Sequence, residues 1–406
     1  MSEYLNNAEK RRNDLMAFSM GMMNGDDGKV LIEKYKEAIE NVTPQDMLKI
    51  EDKQMQMGIT PDQIKGDIEK IINVFVQSLN RYPWEKPAEG SFLFYLMLEN
   101  DAFTFKLNQV KRIIKNYKGR EESEFKKLKS DLLPHFKKFQ EFDFHYIKKE
   151  NILFPYLEAC WESYRPLKVM WSLHDDIRKS LKELIAMLES DISEWQKFNK
   201  QLGKYFSLVF RMIQKENSII FPVATETVKA ETWHQMHIQS FGYPFPFIEV
   251  PEKPKDAVAE NLNNENRISK MGKIISSTGN LSAEQVLLAF NHLPVDITLV
   301  DSNDKVVFFN KAKNRFFPRS PAIIGRAVQN CHPPESVHIV ENIIEAFRSG
   351  KKNKADFWIQ MKGKFILIQY FALHDENGNY KGVIEVSQDV SAIRDLKGEK
   401  RLLNWV

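Results

Sequence analysis

Two nearly identical stretches decide the fold of this chain: Lys149-Glu150-Asn151-Ile152-Leu153-Phe154-Pro155 and Lys215-Glu216-Asn217-Ser218-Ile219-Ile220-Phe221-Pro222. Each follows a long amphipathic stretch. We expect the proline to end a helix and the phenylalanine to close the end of a helix bundle, because proline cannot continue a helix. A glutamate shortly before such an end can point into the bundle, where bundle proteins place metal-binding carboxylates. The pair therefore predicts a four-helix bundle laid out around a metal site.

Length and composition limit the classes of protein to consider. A chain of 406 residues is long enough for two or three domains. Its 43% hydrophobic and 28% charged residues are typical of a globular protein, not a disordered one. The sequence shows neither a signal peptide nor an apolar run of the roughly 20 residues that span a bilayer, so we expect a cytoplasmic protein without a membrane partner. Only Cys160 and Cys331 occur, which argues against a disulfide scaffold.

The net charge gives no sign of nucleic-acid binding. A formal charge of +3 is small for this length, and the lysine clusters have acidic residues close by in sequence. We therefore interpret these clusters as solvated helix faces and expect no nucleic-acid partner.

The spacing of apolar residues predicts an all-α N-terminal part. Residues 1–82 form a small helical module, with helix starts at Thr43-Pro44 and Thr60-Pro61, where threonine caps the helix and proline occupies its first position. Residues 88–240 contain four long helical stretches, which predict an up-down bundle. We place these stretches at about 91–117, 121–154, 166–190 and 193–221.

Residues 241–280 form an extended segment followed by a linker. The first part is rich in proline and aromatic residues and cannot be helical. Tyr243, Phe245 and Phe247 alternate with prolines, so we expect the three rings to lie on one side of the segment, against the bundle. Residues 256–280 are polar and resemble a linker.

The pattern of apolar residues changes to a period of two in the last part of the chain, residues 281–395. A short helix from Ser282 to His292 is followed by two apolar runs around the turn Ser302-Asn303-Asp304, which predicts a hairpin. A helix at about 336–349 and three further strands follow, at 355–361, 365–373 and 380–390. This order predicts an α+β domain with an antiparallel sheet and helices on one side.

Three resemblances cover most of the chain. The bundle resembles the hemerythrin-like (HHE cation-binding) domain, through the two Glu-Asn…Phe-Pro motifs and the segment from Val169 to Arg178. The last hundred residues are similar to a PAS domain, through Asp301, Asn310, Gly325 and the strand from Glu385 to Val390. The N-terminal module resembles a domain of unknown function that precedes both in bacterial sensor-type proteins.

The hemerythrin resemblance implies a ligand set that is incomplete here. Family members open the first bundle helix with histidine, proline and histidine, where this chain has Ser91, Phe92 and Phe94, so we expect no ligand from that helix. Lys149 and Met212 replace two further ligands. The remaining candidates are His145, Glu150, His174 and Glu216. We expect at most one iron or other divalent ion in place of a normal di-iron centre; the alternative is that these side chains are buried polar residues in a repacked core.

A second candidate site lies in the PAS-like domain, in the segment Asn330-Cys331-His332-Pro333-Pro334. The two prolines hold the backbone extended before a helix, so Cys331 and His332 are displayed at a fixed place and His338 is expected to face inward. Cysteine or histidine in such a place can ligate a haem iron. The alternative is an ordinary helix-capping loop.

The sequence favours a sensor over an enzyme. It contains no glycine-rich phosphate loop, nucleophile elbow or kinase signature, so we expect no catalytic activity. We expect a regulatory protein that senses haem, iron, a diatomic gas or a redox signal and acts on an unidentified protein partner, with a homodimer as one arrangement. Two alternatives remain: an iron-binding protein that handles oxygen or nitric oxide, and a structural interaction module without metal.

Overall fold

The chain forms two compact units, Met1–Lys253 and Pro254–Val406. The computed structural model describes residues 2–117, 122–190, 195–254, 273–276, 279–313 and 315–401. Most of the expected linker at 256–280 lies outside these ranges. Two of its segments are described, and they pair as an antiparallel hairpin of β1, Lys273–Ser276, and β2, Gly279–Ser282.

Five helices open the first unit, and two of them begin where the sequence predicts. The side chains of Thr43 and Thr60 each accept a hydrogen bond from the backbone three residues later, and Asp46 and Gln63 bond back to complete a capping box. The five helices are α1, Ser2–Asn24; α2, Gly28–Lys34; α3, Lys36–Glu40; α4, Pro44–Gln56; and α5, Pro61–Arg81.

The bundle helices follow, and their core is continuous with that of the first five helices. The first bundle helix is α6, Phe92–Lys115. The second consists of α7, Glu122–Phe139, α8, Asp143–Lys148, and α9, Phe154–Cys160. The third is α10, Pro166–Glu189; the fourth consists of α11, Trp195–Lys215, and α12, Phe221–Thr227; and α13, Ala230–Ser240, closes the unit's helices.

The predicted helix ends at Pro155 and Pro222 are wrong. Both helices continue past the proline, through a π-helical turn at Lys149–Leu153 in one and at Glu216–Ile220 in the other. A proline removes one helical hydrogen bond and clashes with the carbonyl four residues earlier, and a wider turn relieves both problems. The repeated Lys-Glu-Asn motif is therefore the signature of two π turns.

The aromatic segment packs on the bundle, as predicted. Tyr243 and Phe245 are buried. The Phe245 ring contacts Tyr95 edge-on, at 6.0 Å between centroids, and the Phe247 ring stacks on Phe103 at 5.7 Å. These contacts join the segment to the first bundle helix.

The second unit contains a five-stranded antiparallel sheet, as the sequence predicts, and its strands lie side by side in the order Val306–Phe309, Asp296–Asp301, Tyr380–Asp389, Lys364–His374 and Lys354–Met361. Asn310, at the end of the predicted hairpin, is buried, accepts a hydrogen bond from Ile297 N–H at 2.7 Å and donates to the Phe290 and Val295 carbonyls. The strands are β3, Asp296–Asp301; β4, Val306–Phe309; β5, Lys354–Met361; β6, Lys364–His374; and β7, Tyr380–Asp389. The helices are α14, Ala283–His292; α15, Pro334–Arg348; and α16, Ser391–Arg394.

Candidate functional site

His145 lies at the centre of the bundle and is completely buried. Its Nδ1 lies 2.8 Å from Glu99 Oε2 on α6, and its Nε2 lies 3.1 Å from Glu216 Oε2 on the fourth bundle helix. Asn100 Nδ2 also donates to Glu216 Oε2, at 2.8 Å. The structure thus brings two predicted site residues, His145 and Glu216, into direct contact.

Two buried lysines neutralise these carboxylates. Lys148 Nζ donates to Glu99 Oε1, and Lys149 Nζ donates to Glu216 Oε1. Burial alone would raise the pKa of Glu216, but the charge of Lys149 and then that of His145 outweigh burial and hold this pKa well below its usual value. Burial lowers the pKa of Lys149, and the charge of Glu216 opposes this shift. The direct contact between the two groups is that of a carboxylate with an ammonium ion.

The other two predicted site residues form a second pair. Glu150 Oε1 lies 2.7 Å from His174 Nδ1, and Arg178 donates to both oxygens of Glu150, at 2.9 and 3.0 Å. Burial, helped by the charges of Lys149 and Arg178, lowers the pKa of His174 well below its usual value, so the ring is neutral. Its Nε2 is buried without a hydrogen-bond partner among the described residues.

Sequence analysis overlooked two polar residues of the first bundle helix, since α6 places Glu99 and Asn100 at the centre of the bundle. At the start of this helix, where the hemerythrin family places histidines, the Ser91 hydroxyl caps the helix by accepting a hydrogen bond from Phe94 N–H. A signal was present in the sequence. Glu99 continues the series of core positions from Leu96 to Phe103, and a carboxylate on such a face needs a partner.

The PAS-like domain contains a small cavity, and one of the three candidate haem ligands, His332, lines it. The cavity has a volume of about 30 Å³, and His332, Tyr370 and Glu385 line it together with apolar side chains that include Val300 and Ile344. Burial, followed by the charges of Arg319 and Arg326, lowers the pKa of His332 from 6.5 to about 4. His332 is half-buried on the wall of the cavity, and its ring is neutral at physiological pH.

Cys331 and His338 do not line this cavity. Cys331 is partly buried, and its thiol donates weakly to the Ala327 carbonyl, at 3.7 Å. His338 is exposed, contrary to the expected inward orientation. The prolines start α15 at Pro334, which places residue 338 on its solvent side.

The pKa of His332 predicts a stability that depends on pH. In the unfolded chain the imidazole binds a proton below about pH 6.5, whereas in the folded domain it does so only near pH 4. The unfolded state therefore binds more protons, and stability should fall as the pH decreases from 6.5 towards 4. Thermal unfolding of residues 254–406 across this range should show the decrease in the wild type and a smaller one in His332→Leu. Equal slopes for both would contradict it.

Comparisons with family models identify two domains in the chain. Residues 91–224 match the family model of the hemerythrin HHE cation binding domain, and residues 287–391 match that of a PAS domain. The chain contains a hemerythrin domain and a PAS domain. This domain content is that of a sensory protein. None of the curated proteins compared matches the chain.

Three solved structures are similar to part of the chain. A C-terminal domain from Streptococcus mutans is 34% identical over 32% of this chain and 99% of its own, with a TM-score of 0.30. The PAS domain of a protein from Colwellia psychrerythraea is 20% identical; the match covers 27% of this chain and 97% of that domain, with a TM-score of 0.22. A sensory box sensor histidine kinase from Vibrio cholerae is 13% identical; the match covers 32% of this chain and 97% of that one, with a TM-score of 0.21.

The hemerythrin domain implies a metal centre, and the residues present do not fit one. Within the described ranges, no group of three or more histidine, cysteine, aspartate or glutamate side chains is placed to hold a metal ion. Each central carboxylate instead contacts a cationic side chain: Glu99 contacts Lys148, Glu216 contacts Lys149 and Glu150 contacts Arg178. A divalent ion bound by these carboxylates would be repelled by the lysine and arginine side chains that already contact them.

Haem does not fit the PAS cavity. A volume of about 30 Å³ is close to that of one water molecule, and pockets for drug-sized ligands run to about 300 Å³ or more. The candidate role of Cys331, His332 and His338 as haem ligands therefore has no geometric support.

Among the described residues every helix is too short or too polar to cross a bilayer.

Proposed function

We propose that this is a cytoplasmic, non-catalytic sensory protein whose PAS domain receives a small ligand at the cavity beside His332, and whose hemerythrin domain works without metal. The observation that carries the proposal is the set of polar groups on the cavity wall. His332 is neutral, and burial raises the pKa of Tyr370 well above its usual value, so its phenol stays protonated. Glu385 adds a carboxylate. An otherwise apolar pocket with a few converging polar groups is typical of a ligand site.

The size of the cavity indicates how a signal would arise. About 30 Å³ holds one water molecule or a ligand of two or three atoms. Val340, Ile343 and Ile344 of α15 form one wall, and Val300, Tyr370 and Val383 of the sheet form the other. A larger ligand must therefore move α15 away from the sheet, and this movement is the two-state element that we propose for signalling.

Native mass spectrometry of the freshly purified full chain tests the proposal. We expect a small non-covalent ligand on the wild type that is lost in His332→Phe, because the larger ring fills the cavity. Hydrogen exchange in α15 should change between the two proteins, since its contact with the sheet is what the ligand alters. An absorption spectrum of the same sample should show neither a Soret band nor oxo-bridged iron bands. No bound mass, together with identical exchange in α15, would refute the proposal.

The two alternative functions gain different support. An iron-binding role in oxygen or nitric oxide handling is not favoured, because the three central carboxylates are each paired with a cationic side chain. A structural interaction role is favoured for the hemerythrin domain by the same pairs, which neutralise its buried carboxylates without a metal ion. We keep this role as the second candidate function for that domain.

We propose that the output passes to a protein partner along β5, and that a second copy of the chain is the partner to test first. β5 is an edge strand of the sheet and exposes Phe357, Trp358 and Ile359, with Trp358 65% exposed. Identical edge strands can pair across a two-fold axis. Light scattering coupled to gel filtration should give a dimer for the wild type and a monomer for Trp358→Lys. A monomeric wild type would exclude the homodimer.

A further inference from the structure

We infer that Lys149 is a built-in substitute for a metal cation, and that removing its ammonium group creates a site for one divalent ion in the hemerythrin domain. The inference concerns the bundle alone, so it stands or falls independently of the PAS ligand. It starts from the contacts of Glu216, a completely buried carboxylate.

Glu216 is bound by donors from different helices. Lys149 donates to Oε1, and Asn100 and His145 contact Oε2 at 2.8 and 3.1 Å. Asn100 lies on the first bundle helix, Lys149 and His145 on the second, and Glu216 on the fourth. One ammonium group thus supplies the positive charge that links helices at the centre of the bundle, which is the structural task of a metal ion in such a core.

Two further polar atoms in the core of the bundle have lone pairs that no hydrogen bond among the described residues uses. His174 is neutral, and Glu150 fixes its Nδ1 by accepting the N–H, so Nε2 carries the lone pair. This Nε2 and Asn100 Oδ1 are buried without hydrogen-bond partners among the described residues. Lys149 lies close enough that its charge lowers the pKa of His174. A carboxylate oxygen, an imidazole nitrogen and an amide oxygen are the kinds of donor that a divalent transition metal accepts.

Lys149 is completely buried at the first position of a π turn. It opens the π turn Lys149–Leu153, whose extra residue rotates the chain relative to a regular helix, and its side chain is 0% exposed. Lysine is almost never this deeply buried without a specific partner. The ammonium group of Lys149 is therefore the specific partner of the buried Glu216 carboxylate.

Cobalt chloride is the probe for the test, because Co²⁺ accepts nitrogen and oxygen ligands and absorbs visible light when bound by protein. Full-length wild type and Lys149→Ala are incubated with Co²⁺, gel-filtered and analysed for metal. We expect about one Co²⁺ per chain in Lys149→Ala, with a dissociation constant on the order of micromolar, and none in the wild type. The control Lys149→Ala/Glu216→Gln removes the carboxylate and should lose the metal.

Thermal unfolding gives a second readout that does not depend on spectroscopy. Lys149→Ala leaves Glu216 without its counter-charge, so it should unfold at a lower temperature than the wild type and be restored by Co²⁺. If Lys149→Ala does not fold, Lys149→Gln replaces it, because its amide still donates to Glu216. Stoichiometric Co²⁺ on the wild type overturns the inference. So does the absence of both uptake and stabilisation in both variants.

Discussion

Replacing Lys215 with methionine should lower the free energy of unfolding of the first unit by about 3–5 kcal/mol. Lys215 Nζ lies 2.7 Å from both carboxylate oxygens of Glu51, and their side chains are 1% and 5% exposed. Methionine keeps most of the volume but leaves Glu51 of α4 buried without a counter-charge. Urea denaturation followed by far-UV circular dichroism measures the loss.

Two variants control this experiment. Lys215→Met/Glu51→Leu removes both charges and should recover most of the stability, because an apolar pair can replace a buried ion pair at little cost. Lys137→Met breaks a pair with Glu189 whose side chains are 52% and 48% exposed, so it should change stability by less than about 1 kcal/mol. If Lys215→Met costs no more than Lys137→Met, the Glu51 pair does not tie the N-terminal helices to the bundle.

The local features of the fold could be predicted because they depend on neighbouring residues. A threonine followed by proline specifies a helix start by itself, and both helices begin where expected. Alternating apolar residues predicted the strands of the sheet to within about two residues, because one face of each strand must be buried.

Features that depend on distant contacts could not be predicted. The partner of Lys149 is 67 residues away and that of Lys215 is 164 residues away, and no pattern along the chain connects them. The rule that proline ends a helix predicts the wrong helix ends at Pro155 and Pro222. The rule ignores the π turn before each proline, and only the packing around that turn selects it. His338 was misplaced because a shift of one position on a helix turns a side chain by about 100°.

The residues of the candidate site could be predicted from local spacing, but their hydrogen-bond partners could not. His145, Glu150, His174 and Glu216 all lie at the bundle centre, since their spacing on amphipathic helices points them inward. Their protonation and pairing follow from Lys148, Lys149 and Arg178, whose direction the sequence does not give. Cationic side chains of this length reach either solvent or core, so the choice is made in the folded state.

Gly382→Ala should destabilise the PAS domain by about 3 kcal/mol or more, through two separate costs. Gly382 lies in β7 with φ of +132°, a conformation that residues with a side chain rarely adopt. A Cβ atom there would lie 2.0 Å from the Val300 carbonyl oxygen of β3. Because Gly382 pairs with Asp301 in the sheet, relieving the overlap requires β3 and β7 to separate. Thermal or urea unfolding of residues 254–406 gives the loss.

Gly363→Ala separates the two costs. Gly363 also has a positive φ, +76°, but its Cβ would meet nothing within 4 Å. This variant should therefore carry only the backbone penalty, on the order of 1 kcal/mol. The difference between the two variants measures the contact between β3 and β7. Val300 and Val383 on these strands also line the His332 cavity, so the same close contact sets the size of the cavity. If both alanine variants lose the same stability, the strands have room to relax, and the small cavity is then not fixed by β3 and β7.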